Sequence, residues 1–200
     1  MRKLILLWLC LVMLAAGGCA SNLMQPVDPA SLPQILNEDE AMVVFLRPSF
    51  FGGAIQAPVI EAVNGVLSLV GIVSAGDKVL LVTTPGNHYY VVGGEDSNLL
   101  EARLDGGKVY YAYVSPAMGL MKARFELEPV TYEQLFERTF KSDLAGCTWR
   151  TAKPEAQLWF NDNLPSLNSK YADAMAEHNN TPAEERNIIL PEYGSPEFLP

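Results

Sequence analysis

Short hydrophobic runs recur between residues 41 and 130, and Gly-Gly, Asn-Gly, Pro-Gly or Asp-Gly pairs separate most of them. The runs are rich in β-branched and aromatic residues, as strands are. They cover 41–47, 55–63, 66–73, 78–84, 88–94, 98–104, 108–114 and 120–130. About eight short strands at roughly ten-residue spacing predict a mainly β fold, an antiparallel β-sandwich. No segment of helical period interrupts them, so a parallel α/β sheet is not expected.

Two turns within this region have specific sequence signals. Asn64-Gly65 lies between apolar runs, and both residues tolerate positive φ, which predicts a two-residue hairpin. Pro85 fixes φ at one turn position and Gly86 supplies positive φ at the next, as a type II turn requires. The strand after this turn is predicted to point Tyr89 and Tyr90 to opposite faces.

After Val130 the hydrophobic period changes to that of helices. Thr131 and Gln134 form a capping-box pattern at the start of a predicted helix. A second helix is predicted before Pro165 and a third around residues 170–178. Residues 131–200 are therefore expected to be a short helical and irregular C-terminal extension that covers an end or an edge of the sandwich.

Residues 1–18 have the features of a secretion signal. Arg2 and Lys3 precede an uncharged apolar run of about a dozen residues, which is too short to span a bilayer. The small residues before Cys19 resemble the lipobox of bacterial lipoproteins, although Ala16 stands where that family favours Leu. The resemblance implies cleavage between Gly18 and Cys19, an S-diacylglycerol on Cys19 and acylation of its amino group. An ordinary secretory signal is the alternative.

Residues 19–40 contain several prolines and small polar residues, and we interpret them as a tether between the anchor and the domain at 41–130. The residue after Cys19 is Ala20. By resemblance to enterobacterial sorting, the absence of Asp there implies the outer membrane, with the protein facing the periplasm.

The charge of the chain excludes some classes of partner. The full sequence has 14 basic and 23 acidic residues, a net charge of −9, and removal of Arg2 and Lys3 would make it about −11. An acidic protein is not expected to bind nucleic acid or to adhere electrostatically to anionic lipid. The lipid anchor is therefore the expected link to the membrane. With Cys10 removed and Cys19 acylated, Cys147 is expected to be a small buried residue, a reactive or intermolecularly paired thiol being the alternative.

Four segments carry a resemblance to a known family. They are VVFLRPSFFGGAI (43–55), VNGV (63–66), PGNH (85–88) and GGKVYYAYV (106–114). In this order they resemble the small bacterial envelope lipoproteins that carry domain of unknown function 2846. The resemblance covers about residues 41–128. It implies a sandwich of the transthyretin or carboxypeptidase-regulatory type and implies no activity.

Catalytic and metal-binding signals are weak. A zinc site needs three or four ligands, and His88 is far in sequence from the other histidine, His178, so we expect no metal and no cofactor. Ser49 has no identifiable base, and an envelope hydrolase is the weakest of the functional hypotheses. Arg47, at a strand end, could clamp a carboxylate or phosphate, but an ion pair with an acid at the sheet end is the favoured interpretation.

The sequence thus predicts a lipid-anchored, non-enzymatic envelope protein. We expect it to act as an interaction or accessory module for an unidentified envelope protein or polymer. The alternative is a small-ligand or glycan-binding lipoprotein. The candidate contact residues for either role are Arg47, Phe50, Phe51, Tyr89 and Tyr111.

Overall fold

The computed structural model describes residues 23–33, 37–51, 53, 55–93, 98–118 and 123–199. The predicted signal, Gly18 and the predicted lipidation site Cys19 lie outside the described residues. The described strands are β1 (Met24–Pro26), β2 (Ala41–Arg47), β3 (Ala57–Val63), β4 (Val66–Val73), β5 (Asp77–Thr83), β6 (Gly86–Val92), β7 (Asn98–Leu104), β8 (Lys108–Met118), β9 (Ala123–Pro129), β10 (Thr148–Ala152) and β11 (Ile188–Ile189). The described helices are α1 (Arg138–Gly146) and α2 (Pro154–Asn180).

The strands form two open sheets, so the mainly β prediction is confirmed. Sheet A has the order β1-β10-β5-β2-β8-β9, and sheet B has the order β11-β7-β6-β3-β4. Their inner faces share one hydrophobic core, in which Phe45 of sheet A meets the ring of Tyr90 of sheet B edge-on at 5.0 Å. Aromatic pairs of this geometry stabilise a core beyond the area that they bury.

Strand β2 is buried on both of its faces, because a helix packs on the side of sheet A that faces away from sheet B. Val43 and Phe45 face the core between the sheets, while Met42, Val44 and Leu46 pack on the opposite face against α1. A strand buried on both faces is apolar throughout, as the run AMVVFL is. Helix α2 covers the outer face of sheet B in the same way, through two smaller clusters. The layers are therefore helix, sheet, sheet and helix.

The predicted hairpin turn is where the sequence placed it. Asn64 has φ 51° and Gly65 has φ 78°, and the hairpin joins Val63 to Val66. Gly86 has positive φ, 126°, as expected, but it is already the first residue of β6 and follows a bend at Pro85, so the type II turn stays a prediction. Tyr90 points into the core between the sheets while Tyr89 packs under α2, which confirms that the two tyrosines face opposite ways.

The prediction of purely antiparallel sheets was wrong. Strand β2 pairs with β8 in parallel, and so do β5 with β10 and β7 with β11. Alternation of apolar and polar residues reports which face a side chain occupies, but it carries no information on strand direction. The long connections that bring β8 and β10 back to sheet A are what allow parallel pairing.

The prediction that Pro165 would end a helix was also wrong. Helix α2 has 27 residues and contains Pro165 in its interior. A proline there removes a backbone hydrogen bond, but the helix buries Phe160, Leu167 and Ala174 against sheet B on either side of it. Tertiary packing thus continues the helix through a residue that would break it in isolation.

The predicted helix start at Thr131 is partly correct. Thr131 N donates to Gln134 Oε1 at 2.7 Å, and Gln134 N donates to Thr131 Oγ1 at 3.4 Å, as in a capping box. The first turn, Glu133–Phe136, is a 3₁₀-helix, and α1 begins only at Arg138.

Both segments outside the predicted 41–130 domain contribute to the sheets. Met24 and Pro26 of β1 pair with β10, and Leu23 and Met24 are buried. This part of the expected tether is therefore built into sheet A. Strands β10 and β11 come from the expected C-terminal extension, and Ser195 pairs with Val109 of β8. The extension therefore adds strands to both sheets, and its helices α1 and α2 cover their outer faces.

Candidate functional site

The side chain of Arg47 is buried at the end of β2 and organises the loop that follows. Its Nη1 donates to Ile55 O at 2.6 Å and to Val73 O at 3.4 Å, and its Nη2 donates to Phe51 O at 3.1 Å. The guanidinium also lies 4.6 Å from the centre of the Phe125 ring, a favourable cation–π distance. Hydrogen bonds from a charged donor are stronger than neutral ones, so Arg47 fixes the loop backbone at two points.

The sequence favoured an ion pair between Arg47 and an acid at the sheet end. Asp77 lies opposite Arg47 in the strand register. Burial lowers the pKa of Arg47, and the negative charge of Asp77 opposes that shift. Asp77 Oδ1 itself accepts a hydrogen bond from Arg150 Nε at 2.9 Å. The acid therefore compensates the buried charge electrostatically, while the hydrogen bonds named above go to backbone carbonyl groups, two in the loop and one at Val73 of β4.

The loop held by Arg47 presents apolar side chains to solvent. Phe50 is 79% exposed, Phe51 57% and Ile55 43%; we call these three residues the Phe50 patch. Ser49 supports the loop locally, because its Oγ accepts a hydrogen bond from Phe51 N at 3.2 Å. A cluster of exposed aromatic side chains on a fixed backbone is a feature of contact surfaces.

The other predicted contact residues lie elsewhere. Tyr111 is buried under the C-terminal segment, where its hydroxyl accepts from Leu199 N at 2.9 Å, and burial raises its pKa to about 12. Tyr89 is half-buried beside His178 under α2, with 5.9 Å between ring centres. The structure therefore brings together Arg47, Phe50 and Phe51 and separates them from both tyrosines.

His88 belongs to a buried polar cluster that the sequence analysis missed. Its Nδ1 lies 2.9 Å from Glu61 Oε1, and its Nε2 lies 2.8 Å from the carbonyl oxygen of Thr84. Glu61 also accepts from Thr83 Oγ1 at 2.9 Å and from Ser68 Oγ at 3.3 Å. Thr83 belongs to sheet A, whereas Glu61, Ser68 and His88 belong to sheet B. The carboxylate thus joins the two sheets.

The hydrogen-bond geometry of this cluster indicates which atoms carry its protons. A backbone carbonyl can only accept, so His88 Nε2 carries a proton that it donates to Thr84 O. One further proton lies between His88 Nδ1 and Glu61 Oε1. Burial alone would raise the pKa of Glu61, but the hydrogen bonds from His88, Thr83 and Ser68 outweigh it and the pKa is lowered. The hydroxyl groups bond to the carboxylate and not to the imidazole, an arrangement suited to stabilising a buried charge.

Tyr90 borders the same cluster from the core. Its hydroxyl donates to Glu61 Oε1 at 3.4 Å, and burial together with the nearby carboxylate raises its pKa well above the ordinary value. Tyr90 therefore stays neutral and serves as one more donor to Glu61.

Cys147 is buried, as expected, and has an unexpected cationic neighbour. Lys78 Nζ donates to Leu144 O at 2.7 Å and lies 4.3 Å from the centre of the Trp149 ring. Burial raises the pKa of the Cys147 thiol to about 11, although the charge of Lys78 opposes this. A thiol with so high a pKa is a poor nucleophile at neutral pH.

A polar groove of about 300 Å³ lies between the end of α2 and strands β7 and β9. Side chains of both charges line it, among them Arg124, Glu126, Glu177 and Arg186. Neither of the tyrosines expected to bind a glycan, Tyr89 and Tyr111, is among its lining residues. The groove is therefore distinct from every candidate site that the sequence identified.

The described ranges were compared with the requirements of a metal site and of a membrane-spanning helix. No group of three or more His, Cys, Asp and Glu side chains within these ranges could hold a metal ion. Neither α1 nor α2 is long and apolar enough to cross a bilayer.

Comparison of the chain with protein-family models, with curated proteins and with solved structures gives no match.

Proposed function

We propose that this protein is a lipid-anchored, non-enzymatic module of a bacterial envelope that binds another envelope protein through the Phe50 patch. The observation that carries the proposal is the contrast at the end of β2. A fully buried arginine holds the backbone of a loop whose aromatic side chains are exposed. Burying a charge is costly. Here the buried charge belongs to Arg47, and it holds the loop that carries the exposed apolar side chains of the Phe50 patch.

The chemistry of the Phe50 patch favours a protein partner. Two phenyl rings and an isoleucine can fill an apolar pocket, and aromatic anchors of this kind dominate many protein interfaces. A glycan site would combine an aromatic platform with hydrogen-bond donors and acceptors, and Tyr89 and Tyr111 are buried or half-buried away from the patch. The glycan-binding alternative is therefore less well supported.

The strand register supports access to the Phe50 patch in an anchored protein. Pro26 of β1 pairs with Arg150, which pairs with Val79, whereas Met24 lies farther along β10 at Ala152. The chain therefore enters β1 from the Thr83 end of β5, and the Phe50 patch lies beyond the Asp77 end. An anchor at Cys19, four residues before Leu23, would lie within about 14 Å of Leu23. The patch would then face away from the membrane.

We also propose that the two sheets form a sandwich of the transthyretin or carboxypeptidase-regulatory type. The shared core between sheets A and B supports this. The parallel pairing of β2 with β8 would be a departure from a purely antiparallel arrangement.

The anchor has a direct test that is independent of the partner. We expect Cys19→Ala to abolish labelling by a fatty-acid probe and to leave uncleaved or soluble protein. Labelling of Cys19→Ala at the wild-type level would contradict the lipoprotein assignment while leaving the proposed role of the Phe50 patch intact.

The role of the Phe50 patch is tested by site-specific crosslinking in cells. A photoreactive residue at Phe50 should capture one defined envelope protein, and Phe51→Ser should remove that product. Phe136 is the matched control because it is an exposed phenylalanine, 60% accessible, on another part of the surface. Equal capture from positions 50 and 136, or no capture at position 50, would contradict the proposal.

A further inference from the structure

Strand β4 is an edge of sheet B, and half of its outer backbone is open. The turn at Asn64-Gly65 makes Val63 and Val66 the first hydrogen-bonded pair of the hairpin. Hydrogen-bonded and non-hydrogen-bonded pairs alternate along an antiparallel ladder. The backbone N–H and C=O groups of Leu67 and Leu69 therefore point away from β3, and no backbone hydrogen bond from another described element reaches them.

The remaining half of the β4 edge is covered. Ile72 N donates to Met24 Sδ at 3.3 Å. At Gly71 an added Cβ would lie only 3.1 Å from Met24 Cε and from Val79 Cγ1, so sheet A is in close contact there. The open part of the edge is thus 66–70, next to the hairpin turn, and it ends at Val70, the extra residue of a β-bulge opposite Val59 and Ile60.

The open edge carries no charged side chain. Its residues are Val-Leu-Ser-Leu-Val, and Val66 at its end is 72% exposed. Proteins usually protect an edge strand with charges, shortness or a cover, because an open apolar edge is a template for another strand. Leu67 and Leu69 share a hydrophobic cluster with Trp159 and Leu164 of α2, and a β-bulge follows at Val70. No described backbone group, however, pairs with the outer N–H and C=O groups of Leu67 and Leu69.

The edge strand β9 of sheet A provides the contrast. Its exposed residues alternate as Arg124, Glu126 and Glu128. Its Leu127 N is occupied by a hydrogen bond from the backbone to Asn98 Oδ1 at 2.9 Å. Strands β1 and β11, the other described edges, have only three and two residues.

We propose that the open edge of β4 pairs with β4 of a second copy of this chain. An open edge is completed only by an extended strand, and a two-fold antiparallel contact completes two edges at once. With a net charge of −9, most faces of two copies repel each other. An uncharged strand is the surface on which this repulsion is least. The pairing joins two five-stranded sheets into one and requires neither the lipid anchor nor the Phe50 patch.

The open groups also fix the register. Leu67 pairs with Leu69 of the second copy, and Leu69 pairs with Leu67 of the second copy. Ser68 then faces its own counterpart in a non-hydrogen-bonded pair, with about 4.5 Å between the two Cα atoms. That separation permits a disulfide. Val66 lies two residues before Ser68 in this register, so its own counterpart is too distant for a bond.

Cysteine pairing in the full chain tests both the contact and its register. We expect Ser68→Cys to form a disulfide-linked dimer under mild oxidation, above the level of the parent chain. Val66→Cys should not do so. Glu126→Cys on β9 is the control edge. Equal linkage at positions 66, 68 and 126, or no linkage at position 68, would overturn the proposal.

Self-association gives a second readout that does not depend on cysteine. Light scattering of the full chain in detergent should detect a dimer, and Val66→Lys should weaken it about tenfold because a charged edge resists pairing. Circular dichroism of Val66→Lys should match the parent, since Val66 is exposed. A monomer at every concentration, or capture of a different protein instead of a second copy by a photoreactive residue at position 66, would overturn self-pairing.

Discussion

Two buried charged groups lie at opposite ends of β5 and hold different parts of the molecule together. Arg47, level with Asp77, donates to the backbone of the loop that presents Phe50 and Phe51. Glu61, near Thr83, accepts from side chains of both sheets. Arg47 therefore fixes a loop to a strand, whereas Glu61 fixes one sheet to the other.

The comparison shows that a buried charged group can stabilise either the core of a fold or a single loop. A buried charge must be compensated by hydrogen bonds or by an opposite charge. The hydrogen bonds to Glu61 come from strands of both sheets. Loss of Glu61 should therefore lower the stability of the whole fold. The compensation of Arg47 comes mainly from an exposed loop, so its loss should loosen that loop first.

The largest effect is expected from Glu61→Ala. The change leaves the buried His88 and the half-buried Thr83 without their acceptor, and removal of one member of a buried pair typically costs about 3–5 kcal/mol. We expect a clear fall in the denaturant midpoint. Glu128→Ala, on the exposed edge of β9, should alter stability by less than about 0.5 kcal/mol. Equal midpoints for these two variants would show that the cluster does not join the sheets.

A smaller global effect is expected from Arg47→Met. Charged hydrogen bonds contribute about 1.5–3 kcal/mol each, but the loop can hydrate the carbonyl groups that Arg47 leaves. We expect hydrogen exchange at the amides of Phe51 and Gly53 to become faster than exchange at core strands. In Glu61→Ala the core strands should be affected instead. If both variants showed the same pattern of hydrogen exchange, Arg47 and Glu61 would not stabilise different parts of the molecule.

Acid should act on the Glu61 end of β5 through the Glu61 carboxyl group itself. The pKa of Glu61 in the fold lies below its ordinary value of 4.5. Its contribution to stability is therefore complete above pH 4.5 and is lost as the pH falls through the lower folded value. Unfolding measured from pH 6 downwards should lose stability in this window. Glu61→Gln should remove that part of the slope, and an unchanged slope would contradict the assignment.

The smallest effect on stability is expected from Phe50→Ser. The side chain is largely exposed, so the free energy of unfolding should change by no more than about 0.5 kcal/mol. Any loss of partner capture by this variant would then be a loss of contact and not of folding. Loss of stability comparable to that of Arg47→Met would mean that Phe50 supports the fold.

Sequence patterns predicted the strands of the core well. The runs of apolar residues and the turn residues between them correspond to β2–β9. The hairpin at Asn64-Gly65 was predicted because positive φ is a local requirement of that turn. Such features depend on neighbours within a few residues, and those neighbours are visible in the sequence.

The buried polar cluster could not be predicted in the same way. His88 followed a recognisable turn, but its partner Glu61 is 27 residues earlier in the chain and Thr83 is 22 residues from Glu61. Nothing in the local pattern distinguishes a glutamate on an inner face from one on a solvent face. The Phe50 patch was named from the sequence, whereas its fixation by Arg47 was not, because Arg47 was expected to pair with an acid.

By itself the sequence determined the segments that form β2–β9, where the tight hairpin turns, and that Cys147 would be buried. These follow from side-chain period, backbone preference and hydrophobicity, which act locally. Tertiary structure alone decided the parallel pairs of β2 with β8 and β5 with β10. It also decided that α2 continues through Pro165, that Met24–Pro26 joins sheet A, and that β4 keeps an open edge. Each depends on which distant segments meet, since burial and hydrogen bonding between them outweigh local preference.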